Sequence, residues 1–326
     1  MKNQMDFRPG DWLRAAVLIG LGLTAGCGGS SDSGAGGAGG NGGAGEKKIR
    51  VTATVGMVAY TAERVGGSHV EVSALMGPGV DPHLYKASEG DIRKLSDADI
   101  IFYSGLNLEG KMGEVLKKIG AAGKPVVAVS EQGVDPSLLR SPPEFQGHHD
   151  PHIWFDVSLW AKTILPAAEA LAKLAPQWAD EFRANAAAYE KELAALHEDC
   201  KTQLATIPKA QRVLITAHDA FGYFGRAYDV QVEGLQGVST SSEYGLRDIQ
   251  RLVELIVQRK VKAVFVESSV PRRSIEAVVE GCKARGHQVV IGGSLFSDAM
   301  GEPGTPDGTY PGMVRKNLQI IVGALK

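Results

Sequence analysis

Neither sign of charge is in excess: 35 Lys and Arg stand against 37 Asp and Glu, a formal net charge of -2. A nucleic-acid partner would want a basic face, so that class is excluded. Cysteine is scarce, with Cys27, Cys200 and Cys282 alone. The last two lie 82 positions apart (282 − 200 = 82) and make no spacing pattern, so they either pair, as an exported compartment permits, or stay buried and unpaired. There is no Gly-x-Ser-x-Gly nucleophile elbow, no P-loop and no His-Glu-x-x-His helix. The apolar stretch AAVLIGLGLTAG, residues 15–26, is too short to span a bilayer.

That stretch has the length of a signal-peptide core, and Lys2, Arg8 and Arg14 supply the positive start. It ends at Leu23-Thr24-Ala25-Gly26-Cys27, which resembles a bacterial lipobox with Thr24 where Leu is usual. The expectation is a lipoprotein signal peptide over 1–26 and lipidation at Cys27. Residues 27–46 form a Gly/Ser-rich tether, and 10 of the 41 glycines fall within residues 28–46. Such a tether lets a lipid-anchored domain work beside a membrane without entering it.

From residue 48 strand and helix signals alternate. IRVTATV, VEVSALM, DIIFYS and PVVAVS read as strands, separated by helical patterns over 57–67, 88–98 and 109–120. This alternation predicts a parallel sheet flanked by helices. Between Pro176 and Pro208 there is no other proline and no glycine, and Phe182, Ala186, Tyr189, Leu193, Leu196, Cys200 and Leu204 make one apolar stripe at helical spacing. About 30 residues at 1.5 Å rise predict a rod of roughly 45 Å. The alternation then resumes with strands at VLIT, VQVEGL, VKAVFVE and QVVIG and helices over 220–228, 246–260, 274–286 and the C-terminal GMVRKNLQIIVGALK. The fold class is therefore α/β: two lobes, each a mostly parallel four-stranded sheet flanked by helices, joined by one long rigid helix. The expected bounds are 47–175 for the N-terminal lobe, 176–207 for the linking helix and 208–326 for the C-terminal lobe.

Two Asp-Pro-His triplets stand out, ending at His83 and His152. Proline fixes its own φ and pushes the preceding residue into extended geometry. Each histidine is thus presented by a stiff loop, and the neighbouring carboxylate is placed to orient a metal-bound imidazole. Open α/β sheets place their ligands beyond the carboxyl ends of strands. There the candidates are His83, His152, His218, Glu267 and Asp298. Three imidazoles and one carboxylate make a four-ligand set for a divalent transition metal. His69, His197 and His287 have no partner motif and read as structural, and His148 and His149 read as a solvated loop. Glu267 is a carboxylate behind a ligand or an alternative ligand. It is also the one residue that keeps a zinc-dependent hydrolase open, as general base.

The segments MGPGVDPHLYKAS, SGLNLEGKM, DPHIWFDV, TAHDAFGYFGRAY, GLQGVSTSSEYGLRDIQRLVELI, VFVESSVP and SDAMGEPGTPDGTYPGM resemble the metal-binding solute receptors of bacterial ABC importers for zinc and manganese, the cluster A-I lipoproteins. The resemblance covers the chain after the tether. It implies two α/β lobes joined by a long helix, with a metal between them held by His83, His152, His218 and Asp298. It implies Zn2+ or Mn2+ as transported ligand rather than cofactor, an ABC permease in the inner membrane as partner, a monomer, and a periplasmic or extracellular, lipid-anchored location. It implies no catalysis. His218, where some members carry Glu, points away from manganese-dedicated receptors. The long His-rich loop of many zinc receptors is missing, since only Gly147-His148-His149 stand there. A stiff helix implies a small change between free and loaded states. A metal-stabilised surface adhesin is the further alternative.

Overall fold

The runs rich in Val and Ile become strands because both faces of a parallel sheet are covered by helices, so near-continuous apolar sequence is buried. In the computed structural model, which describes residues 47–145 and 147–326, the N-terminal half builds one sheet. Its strands are β1 (Ile49–Ala53), β2 (Val70–Ala74), β3 (Ile100–Tyr103) and β4 (Val126–Ala128), parallel and in the order β2-β1-β3-β4. Helices α1 (Gly56–Gly66), α2 (Glu89–Asp97) and α3 (Gly113–Ala121) connect them. Ser88 and Asp91 form the capping box that starts α2. The expected signal peptide, Cys27 and the tether lie outside the described residues.

After β4 the chain runs through α4 (Val129–Gly133), α5 (Val157–Trp160) and α6 (Ile164–Leu174). The sequence reading assigns no helix over 157–174. Pro166 obscures it, yet this proline lies in the first turn of α6, where its missing N–H has no intrahelical partner to lose. Helix α7 (Ala179–Ala205) is 27 residues long, a rod of roughly 40 Å. Its buried residues are the seven of the predicted stripe.

The C-terminal half holds β5 (Val213–His218), α8 (Gly222–Tyr228), β6 (Gln231–Gln236), α9 (Leu246–Arg259), β7 (Ala263–Glu267), α10 (Arg273–Ala284), β8 (Val290–Leu295) and α11 (Tyr310–Leu325). Its four strands are arranged as two parallel ladders, β5–β6 and β7–β8, with β5 running beside β7. One apolar core runs from Ile49 to Leu325 and takes in α7, and a second lies within the C-terminal half around Ile215, Ile256, Val264 and Val278. Cys200 belongs to the first and Cys282 to the second, and both thiols are free and buried. No described helix is long and apolar enough to cross a membrane.

Candidate metal centre

Three of the candidates, His218, Glu267 and Asp298, sit where a strand has just ended, whereas His83 and His152 sit on longer loops, nine residues past β2 (83 − 74) and 24 past β4 (152 − 128). The loop after β2 carries His83, and His152 opens a short 3-10 turn over Ile153–Phe155. His218 is the last residue of β5, Glu267 the last of β7, and Asp298 follows β8 by three residues. Parallel strands that end at one level bring these side chains to one place.

The fold brings together His83, His152, His218 and Asp298: one potential ligand atom from each lies within 4.8 Å of the others, and all four residues are buried. His83 Nε2 is 3.3 Å from His152 Nε2 and 3.8 Å from Asp298 Oδ2. His152 Nε2 is 3.4 Å from Asp298 Oδ1, and His218 Nε2 is 3.4 Å from Oδ2. Zinc–nitrogen and zinc–oxygen bonds of 2.0–2.1 Å in a tetrahedron put ligand atoms roughly 3.3–3.4 Å apart. The measured edges therefore fit a small divalent ion. His218 Nε2 and both Asp298 oxygens are buried without a hydrogen-bond partner. Burying such atoms unpaired is costly, and a cation at their meeting point would satisfy them.

The atoms behind the imidazoles are equally specific. Asp150 Oδ1 accepts from His152 Nδ1 at 2.8 Å and from its backbone N–H at 3.0 Å. The other Asp150 oxygen takes Arg140 Nη1 at 2.6 Å. Glu267 Oε1 accepts the His218 backbone N–H at 2.8 Å, and Oε2 lies 2.5 Å from His218 Nδ1, an ion pair whose angles fall short of a hydrogen bond. Glu267 thus stands behind His218 and outside the converging set. Carboxylates so placed fix the tautomer and raise the basicity of a metal-binding imidazole.

The electrostatics follow. Burial drives the His152 imidazole down, but the Asp150 hydrogen bond and the Asp298 charge outweigh it and lift it to about 9. Burial likewise opposes a charge on His218, and Glu267 and Asp298 raise it well above the ordinary value. His83, without a carboxylate behind its ring, is pushed down by burial to about 3, against the pull of Asp298. Asp298 is held well below the usual carboxylate range: burial opposes this, and His218 and His152 win.

Aromatic contacts lock the halves around the centre. Trp154 Nε1 donates to the Ser297 carbonyl at 3.0 Å, Tyr310 Oη donates to the Trp154 carbonyl at 2.7 Å, and Phe155 stacks on Phe221 at 4.1 Å between centroids. The other histidines are elsewhere. His69 stacks on Trp178, His197 meets Tyr228, and His287 Nε2 is 2.8 Å from the Val261 carbonyl oxygen. His149 pairs with Ser141, and His148 is exposed. A cavity of about 760 Å3 beside Lys124, Lys162 and Leu165 holds none of the converging residues. Sequence reasoning singled out neither Arg140 nor Thr240, whose hydroxyl reaches Asp81 at 2.6 Å. No motif marks them: Arg140 acts through Asp150, ten residues on, and Thr240 through Asp81, 159 residues away.

Known proteins resemble this chain over most of its length. The chain is 50% identical over 315 residues, 96% of its length and 99% of the relative's, to the manganese-binding lipoprotein MntA of Bacillus subtilis. It is 49% identical over 276 residues, 84% of its length and 88% of the relative's, to the zinc-binding protein TroA of Treponema pallidum. The solved structure of the Treponema pallidum periplasmic zinc-binding protein TroA superposes with a TM-score of 0.82 at 48% identity, covering 85% of this chain and 99% of that one. Residues 51–324 match the family described as ZnuA, zinc-uptake complex component A, periplasmic, and with this coverage the chain belongs to that family.

Proposed function

We propose that the protein is the extracytoplasmic substrate-binding receptor of a metal ABC importer. It captures one divalent transition metal with His83, His152, His218 and Asp298 and delivers it to a membrane permease. The observation that carries this reading is the set of ligand-atom separations, 3.3 to 3.8 Å, in a buried centre where His218 Nε2 and both Asp298 oxygens lack a hydrogen-bond partner. Residues 47–175 and 208–326 act as two lobes about the helix of 176–207. Cys27 carries the lipid anchor, and the receptor works as a monomer.

Zinc is the favoured cargo. Three imidazoles with one carboxylate suit it, and nitrogen and oxygen sites generally bind zinc more tightly than manganese. The relatives are named for either metal. One observation favours manganese as the second cargo: the two Asp298 oxygens face different imidazoles, Oδ1 toward His152 and Oδ2 toward His218. A carboxylate so turned accommodates a fifth bond. A hydrolase using Glu267 as base has no support here, because both oxygens of that carboxylate are engaged by His218.

Calorimetric titration of the metal-stripped protein with zinc, with manganese, and with each against the other tests the reading. One-site zinc binding that excess manganese does not displace is expected. One-site manganese binding held against zinc would reassign the cargo, and no tight site for either would sink the receptor reading.

A further inference from the structure

The two Asp-Pro-His triplets are spelled alike and wired differently. Asp150 holds both the ring and the backbone of His152. Asp81 holds only the backbone of His83: Oδ1 accepts that N–H at 2.9 Å, and Oδ2 accepts Thr240 Oγ1 at 2.6 Å. Among the described residues no hydrogen bond reaches Nδ1 of His83. Nδ1 of each of the other two imidazoles faces a carboxylate. His83 is thus aimed through its main chain, and the carboxylate that fixes that main chain is tied to the opposite half of the molecule.

Thr240 stands in the loop between β6 and α9. That loop is braced internally, with Gln236 Nε2 donating to the Thr240 carbonyl at 2.6 Å and Ser241 N–H to Ser239 Oγ at 3.2 Å. The His83 loop comes near the far half a second time at Gly79, where a Cβ would stand in ordinary contact with the Ser268 carbonyl oxygen, 3.5 Å away, and where the φ of +70° favours glycine. Ser241, Ser242 and Glu243, next to Thr240, are exposed.

We propose that Asp81 and Thr240 form a latch across the metal centre that keeps His83 in ligating position and sets the rate at which the metal leaves. The proposal rests on the receptor reading above. Asp81 and Thr240 are positioning residues, since neither reaches the metal. A hydroxyl bound to a carboxylate is a charge-assisted hydrogen bond, stronger than a neutral one. Losing it frees the loop that carries one ligand of four, and such losses show mainly in the off-rate.

The test is stopped-flow transfer of zinc from the loaded protein to an excess of chromophoric chelator. Thr240→Val is expected to speed release about tenfold, the factor carried by one such bond. Thr240→Ser, which keeps the hydroxyl, should restore the wild-type rate, and the melting temperature of metal-free Thr240→Val should match wild type. In the Asp81→Ala background Thr240→Val should add nothing, because the partner is already gone. Release from Thr240→Val within twofold of wild type would overturn the latch, as would full additivity with Asp81→Ala. A wild-type protein that takes up neither zinc nor manganese would overturn the receptor reading and the latch with it.

Discussion

Metal binding at neutral pH should expel protons, and their number can be worked from the centre. A metal accepts only the neutral imidazole. In the metal-free protein His152 titrates at about 9 and His218 well above the ordinary value, whereas His83 is pushed to about 3 and Asp298 stays ionised. At pH 7.5 two imidazoles therefore carry a proton that the metal must displace, one from His152 and one from His218. A raised value in the free protein weakens binding at low pH, and affinity recovers as pH climbs toward that value. For His152 alone, a group titrating at about 9 lies two units above pH 7. That is a handicap on the order of 100-fold, roughly 3 kcal/mol. Ordinary histidines near 6.5 would be neutral by pH 7.5 and leave affinity flat above it. Zinc calorimetry in buffers of differing ionisation enthalpy reads the proton count directly. About two protons released at pH 7.5, with affinity still rising toward pH 9, is the expected result. Release of less than one proton, or a flat profile above pH 7.5, would refute the reasoning.

Asp150→Asn should weaken zinc about 10- to 100-fold by chelator competition, because it removes the carboxylate that orients His152. The same change should cut proton release at pH 7.5 toward one. The shared core that runs through α7 predicts little compaction on metal binding, and a large drop in the small-angle scattering radius would contradict it. Cys200 and Cys282 sit in separate cores, so neither thiol should react with a labelling reagent until the protein is denatured, and mild oxidation should not join them.

Much of the architecture was legible because period and punctuation are local. The stripe Phe182 to Leu204 announced α7, and the buried residues of that helix are those of the stripe. The Val- and Ile-rich runs announced the strands. Helix α6 was hidden because Pro166 reads as a breaker unless the start of the helix is already known. The pairing of the last four strands as β5–β6 and β7–β8 carried no mark, since neighbours in a parallel sheet are chosen by packing.

The candidate ligands were readable for the same reason. Asp-Pro-His stiffens its own loop, and a strand end predicts where its last side chain points, so His83, His152, His218, Glu267 and Asp298 could be named as candidates from residue types and position, and the family resemblance set Asp298 above Glu267. Tertiary structure decided which ring, if any, each nearby carboxylate holds. Glu267 and His218 are 49 residues apart, and Thr240 lies 159 residues beyond Asp81. The same triplet thus became a ring clamp at Asp150 and a cross-molecule tie at Asp81. Backbone stiffness is a property of three consecutive residues. The partner a carboxylate finds is a property of whatever the fold sets beside it.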